Sequence, residues 1–153
     1  MENHKYQTIV VCDDYQKVNE NRSAETDAFQ ISVGIKQNEC TNEENLAARI
    51  GSETGMEIPL LQLIDLTILF CQTKVYFQDA YRYKNYYDSE KMQLARVGLQ
   101  GGAMTVAIDK NNPTLDHDIK DFAALLSKED ERISERLFVL SRILKEAGYD
   151  AKY

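Results

Sequence analysis

The spacing of apolar residues changes several times along the 153 residues, and each change marks a new element. "QTIVVC" (7–12) is β-branched and closed by "DD", which predicts a short buried strand. "DDYQKVNENRSAETDA" is polar and turn-forming throughout, a sixteen-residue loop. Loops of that length in a compact domain often carry function. In "FQISVGIKQ" (29–37), Phe29, Ile31, Val33 and Ile35 alternate onto one face, the pattern of a strand. "NEENLAARI" fits two elements. Leu46, Ala47 and Ile50 share one face of a helix, but the same stretch also suits the return arm of a hairpin from 29–37. The hairpin is preferred, because a lone strand beside a polar loop has no partner.

Pro59 followed by an apolar run without glycine predicts a helix from about 59 to 86. Residues 60–71 are apolar nearly all round, so this half belongs under cover on most sides or in an oligomer interface, at least a dimer. Asp65 lies inside that run. An acid buried there without a partner costs roughly several kcal/mol, so an Arg or another hydrogen-bonding group is expected beside it. Around 103–108 a β-type segment follows a tight turn at Gly101–Gly102. Leu115, Ile119, Phe122, Ala123 and Leu126 then form a helical stripe. "SKED", from Ser127, has capping-box spacing and opens a last helix, with Ile133, Leu137, Leu140, Ile143, Leu144 and Ala147 on one side and Gly148 as its stop. The order predicts an α+β fold: a small, mainly antiparallel sheet, one long central helix and two C-terminal helices, in a single domain over 1–153.

Composition narrows the function. Apolar residues make up 43% and charged residues 28%, ordinary for a folded cytosolic protein. A formal charge of −7, with the basic residues scattered among 25 acids, argues against a nucleic-acid polymer as ligand. A small anion in a local basic pocket is compatible with it, because local charge need not follow net charge. Cys12, Cys40 and Cys71 are odd in number and lack metal-type spacing, which indicates a reducing compartment. The polar start "MENHKYQ" has no signal-peptide core, and the longest apolar run is short for a bilayer and interrupted by Asp65. A cytoplasmic protein without a membrane span is expected.

Catalysis finds little to work with. General-base and nucleophilic mechanisms lean on histidine, and the chain has two: His4 near the N-terminus and His117 in "LDHDIKD". "CDD" (12–14) and "DHD" (116–118) are the candidate metal clusters, yet adjacent ligands on one element point apart. Asp116 and Asp118 better suit a helix N-terminus. No metal or cofactor is expected. "GLQGGAMT" has neither Walker nor Gly-x-Gly-x-x-Gly spacing, though a Gly-Gly turn offers backbone N–H groups to an anion.

The densest chemistry is "VYFQDAYRYKNYYDSEK" (75–91), with five tyrosines and Arg82, Lys84 and Lys91. On a helix, Tyr76, Ala80, Tyr83 and Tyr87 form one stripe, and Phe77, Tyr81 and Lys84 an adjoining one. Tyrosine faces stack on a base while the hydroxyl bonds its edge, and Lys84 is placed to meet a phosphate. The competing reading is an aromatic core or dimer contact. Tyr15, Lys17 and Arg22, in the long loop, are placed to close over a bound molecule.

In this order, "SVGIKQ", "LIDLTILFCQT", "FQDAYRYKNYYD", "GLQGGAMTV" and "ERLFVLSRIL" resemble a small family of bacterial and phage proteins of unknown function. The connection from "ARIGSETG" to "EIPLL" is shorter than that resemblance leads one to expect. By role and composition, the chain is also similar to phage sponges that sequester cyclic nucleotide or cyclic ADP-ribose-type immune signals. The expected function is therefore a non-catalytic, homo-oligomeric binder of a small anionic nucleotide-like ligand in the bacterial host cytoplasm. Its expected contacts are Tyr15, Lys17, Arg22, Tyr83, Lys84, Tyr87, Gln100, Gly101 and Arg136. The alternatives are a module that binds a bacterial protein through the aromatic end of the long helix, and an enzyme working with Asp13, Asp14 or Asp65 alone.

Overall fold

A computed structural model describes residues 6–12, 14–19, 30–51 and 54–150, in two compact units, Met1–Cys71 and Gln72–Tyr153. In the first, β1 (Tyr6–Cys12), β2 (Ile31–Gln37), β3 (Glu44–Ile50) and β4 (Met56–Pro59) pair antiparallel in sequence order. The stretch 43–51 is thus the hairpin arm and not a helix: Ile31 faces Ile50 and Gln37 faces Glu44 across the pair. Asn38 closes that hairpin with its own side chain, accepting the backbone N–H groups of Cys40 and Thr41.

Register divides the sheet's faces sharply. Val10, Ile31, Val33, Ile35, Leu46, Ala48, Ile50, Met56 and Ile58 fall on one side. Tyr6, Thr8, Ser32, Gly34, Ala47, Arg49 and Glu57 fall on the other. The alternation of Ile31, Val33 and Ile35 is as expected, but its burial is reversed. Ser32 and Gly34 are buried, whereas Val10, Val33, Leu46, Ile50 and Met56 are exposed. On the polar side the Tyr6 and Ser32 hydroxyls share a hydrogen bond of 2.8 Å, and Lys36 pairs with Glu57.

Pro59 ends β4 opposite Ala47 instead of opening the helix. An edge strand has an unpaired side, so a residue without an N–H is tolerated there. The helix α1 begins one residue later and is shorter than expected, Leu60–Phe77 rather than 59–86. None of its residues is buried within the chain, so of the two expectations for 60–71, cover by the fold itself is not met. Asp65 is half-buried with neither hydrogen bond nor ion pair among the described residues, so the expected partner is not there. By length and composition alone, α1 would suffice to cross a membrane.

In the second unit, β5 (Gln93–Leu99) and β6 (Gly102–Ala107) form a hairpin. The turn residues are Gln100 and Gly101, not Gly101 and Gly102, and Gly101 has φ +86°, as the third residue of a type II turn requires. Helix α2 (Leu115–Lys128) buries Ile119 and sets Phe122 5.2 Å from Phe77, edge on. The "SKED" box is not used: Ser127 lies inside α2, and Glu129 alone separates α2 from α3 (Asp130–Glu146). At the far end Gly148 (φ +90°) stops α3 as expected, with the Tyr149 N–H returning to the Leu144 carbonyl and the Gly148 N–H to that of Lys145.

Two acids secure these helices. The Asp118 carboxyl is held below the ordinary carboxylate range by hydrogen bonds from Thr114 and then Asn112, and Asp130 by its bond from Lys74 at 2.7 Å. A carboxyl depressed on folding contributes stability above its unfolded pKa, and loses it as pH falls through the folded one. Acid titration of the fold by circular dichroism should therefore show stability declining below the ordinary carboxylate range. In the double variant Asp118→Asn/Asp130→Asn that acid limb should be shallower, from a lower neutral plateau.

Candidate functional site

The tyrosine-rich stretch leaves the helical path at Phe77. A short 3-10 turn, Ala80–Arg82, follows, anchored by the almost fully buried Ala80, and Tyr83 is extended (φ −96°, ψ 143°). The Tyr86 N–H bonds the Tyr83 carbonyl at 3.0 Å, closing a turn, and Tyr86 itself adopts φ +67°. That left-handed conformation is unfavourable for a bulky residue. It is held by Tyr76, whose hydroxyl donates to the Tyr86 carbonyl at 2.8 Å. The stripe Tyr76–Ala80–Tyr83–Tyr87 therefore does not exist as a helix face. Low helix propensity in an aromatic run broken by Asp79 and Asn85, together with this long-range hydrogen bond, folds the chain back toward β5.

The fold-back lines a half-open cavity of about 200 Å³. Tyr76, Tyr83, Arg82, Lys91, Asp79 and Asp88 line it, with Val75, Gln93 and Leu94. The Arg82 Nε bonds the Asp79 carbonyl at 3.3 Å, and Asp88 Oδ1 accepts the Glu90 N–H at 3.0 Å. Neither Arg82 nor Lys91 forms an ion pair among the described residues, although two carboxylates share the cavity with them. Burial, and then the neighbouring Tyr83 and Asp88, pushes the Tyr76 hydroxyl above its ordinary range, so it remains a donor at neutral pH. Tyr76→Phe should cost about 1 kcal/mol of stability, the worth of one hydrogen bond to a part-buried carbonyl. It should also loosen the 83–88 turn, read as faster amide exchange at Tyr86.

The expected site residues are scattered. Tyr83 lines the cavity; Lys84, next to it, is exposed and does not. Tyr87 is committed elsewhere, donating to Asp116 Oδ1 at 2.7 Å, a bond that raises its own pKa and ties the loop to the first turn of α2. Gln100 and Gly101 occupy the exposed hairpin turn. Arg136, on α3, donates to the Arg132 carbonyl at 3.2 Å and lies 3.7 Å from Glu135. Tyr15 and Lys17 belong to the first unit, in a 3-10 turn over Tyr15–Asn19. Arg22 and Asp13 lie outside the described residues. Asp14 is exposed and bonded by the Cys12 thiol, and His117 is exposed at 3.4 Å from Asp121.

Missing from the expected contacts are Tyr76, Asp79, Arg82, Asp88 and Lys91. A helical wheel sends Arg82 and Lys91 to different faces. The signal for the alternative lay in "DSEK", where an aspartate turn brings Lys91 back. No curated protein and no solved structure matches the chain. A family profile does match, over residues 1–149, and by it the chain belongs to the family of unknown function DUF6530.

Proposed function

We propose that this protein binds and sequesters a small, anionic, ring-bearing ligand of the nucleotide class in the Arg82–Lys91 cavity, without turning it over. The observation that carries the reading is the placing of the Tyr83 ring in one cavity with two cations that form no ion pair among the described residues. Arg82 offers a planar fork and Lys91 a point charge, the two usual means of holding a phosphate. Tyr83 supplies a stacking face, and Asp79 and Asp88 accept hydrogen bonds from a base edge. At about 200 Å³ the cavity is smaller than the roughly 300–1,000 Å³ of most ligand pockets, so it seats one nucleotide moiety, not a whole cyclic dinucleotide. A cyclic oligonucleotide or cyclic ADP-ribose isomer would insert one of its nucleotides and leave the rest outside. Thermal unfolding with mononucleotides, cyclic dinucleotides, cyclic trinucleotides and cyclic ADP-ribose isomers tests this. At least one should raise the midpoint of the wild type and leave that of Arg82→Gln/Lys91→Gln unmoved.

A second reading, a module that docks a protein partner, draws on another surface. The apolar sheet face carries Val10, Val33, Leu46, Ile50 and Met56 exposed, with Ile50 directly opposite Met56, the composition of an interface.

A further inference from the structure

Arg49 stands in the middle of β3 on the polar face of the sheet, with only 7% of its surface exposed. Its guanidinium lies 4.4 Å from the centroid of the Tyr6 ring, a stacking that favours the cation without supplying a counter-charge. Nη2 donates to Thr8 Oγ1 at 3.4 Å, the outer limit of a hydrogen bond. Nε is buried and has no acceptor among the described residues. No carboxylate forms an ion pair with Arg49 among the described residues. Glu57, its direct cross-strand neighbour, is engaged by Lys36.

A guanidinium has five donors and no acceptor, and it stays charged at every accessible pH. Unlike a buried lysine, it cannot escape the cost of burial by losing its proton. Natural cores place an apolar residue at such a position unless an anion answers the charge. Nε and Nη2 form one edge of the planar fork, the edge that grips two oxygens of an oxyanion side-on. Here that edge carries one long bond and one donor without an acceptor, and the Thr8 hydroxyl beside it is a further donor.

We propose that the β1–β3 face binds an oxyanion group, a carboxylate or a phosphate, gripped by Nε and Nη2 of Arg49 with Thr8 Oγ1 as a third donor. Thr8 is exposed, so an anion arriving over β1 meets Thr8 Oγ1 and Nη2 first and reaches the buried Nε as the Arg49 side chain shifts. This site lies within the first unit and does not depend on the Arg82–Lys91 cavity of the second.

The test titrates isotope-labelled full-length protein with inorganic phosphate and, separately, with acetate, following the Arg49 Nε–H resonance. The resonance is identified by its loss in Arg49→Met, or in Arg49→Lys where the methionine variant does not fold. The expected result is a saturable shift of that resonance with at least one anion, and a rise in thermal midpoint absent from the variant. A response to phosphate alone assigns a phosphate group, and a response to acetate alone a carboxylate. A resonance that neither anion moves, with equal midpoint changes in wild type and variant, overturns the proposal.

Discussion

Gly34→Ala should be among the most damaging single substitutions in this protein, costing about 3 kcal/mol or more, the upper end of overpacking penalties. A Cβ at this position would sit 2.0 Å from the Gln7 carbonyl oxygen, 2.9 Å from its carbon and 3.1 Å from the Thr8 Cα. All three are backbone atoms of β1, so no side chain can rotate away. Relief requires β1 to move off β2, and with it go the Tyr6–Ser32 hydrogen bond and the Tyr6 ring beneath Arg49. Gly98→Ala is the matched control, since a Cβ there meets nothing within 4 Å. It should be neutral or gain up to about 1 kcal/mol from the lower entropy of the unfolded chain. Urea denaturation of both variants checks the pair, and equal midpoints would refute the close β1–β2 approach.

Arg82→Gln and Lys91→Gln should each weaken ligand binding by about ten- to a hundredfold, since a hydrogen bond to a charged group contributes about 1.5–3 kcal/mol. The double variant should lose about a thousandfold or more. Both side chains are exposed and outside any ion pair among the described residues, so the fold should be indifferent to the change. Tyr83→Leu should remove about 1–3 kcal/mol of stacking while leaving the salt dependence of binding intact. Lys84→Gln serves as the negative control, because Lys84 lies outside the cavity. Equilibrium dialysis of the five variants measures these differences directly.

The strands that were legible in the sequence are those whose β-branched residues announce themselves, Ile9–Val11 and Ile31–Ile35. So was the stop at Gly148, where a glycine is needed for its positive φ. What stayed hidden depended on partners far along the chain. β4 is four residues long and ends on a proline, so alone it reads as a helix start; only Ala47 across the ladder makes it a strand. The helix was overextended because its end is enforced by Tyr76 reaching ten residues on to the Tyr86 carbonyl, which periodicity cannot register. The same long-range contact regroups the site. A helical stripe grouped Tyr83 with Tyr87, whereas the fold-back groups Tyr83 with Arg82 and Lys91 and gives Tyr87 to Asp116. Arg49 was invisible for a related reason: "AARI" shows an arginine, and only the register shows that it is buried beside Tyr6 without an acid.

Sequestration in the Arg82–Lys91 cavity is tested most directly by depletion. Purified protein is incubated with the cyclic dinucleotides, cyclic trinucleotides and cyclic ADP-ribose isomers; the filtrate is assayed, and the protein is then denatured by heat to release what it held. Loss of at least one compound from the filtrate, its recovery unchanged after heating, and no loss with Arg82→Gln/Lys91→Gln is the result expected. Recovery of an altered compound would make the protein an enzyme. Depletion of nothing would leave the cavity as a structural fold-back and shift attention to the apolar sheet face and a protein partner.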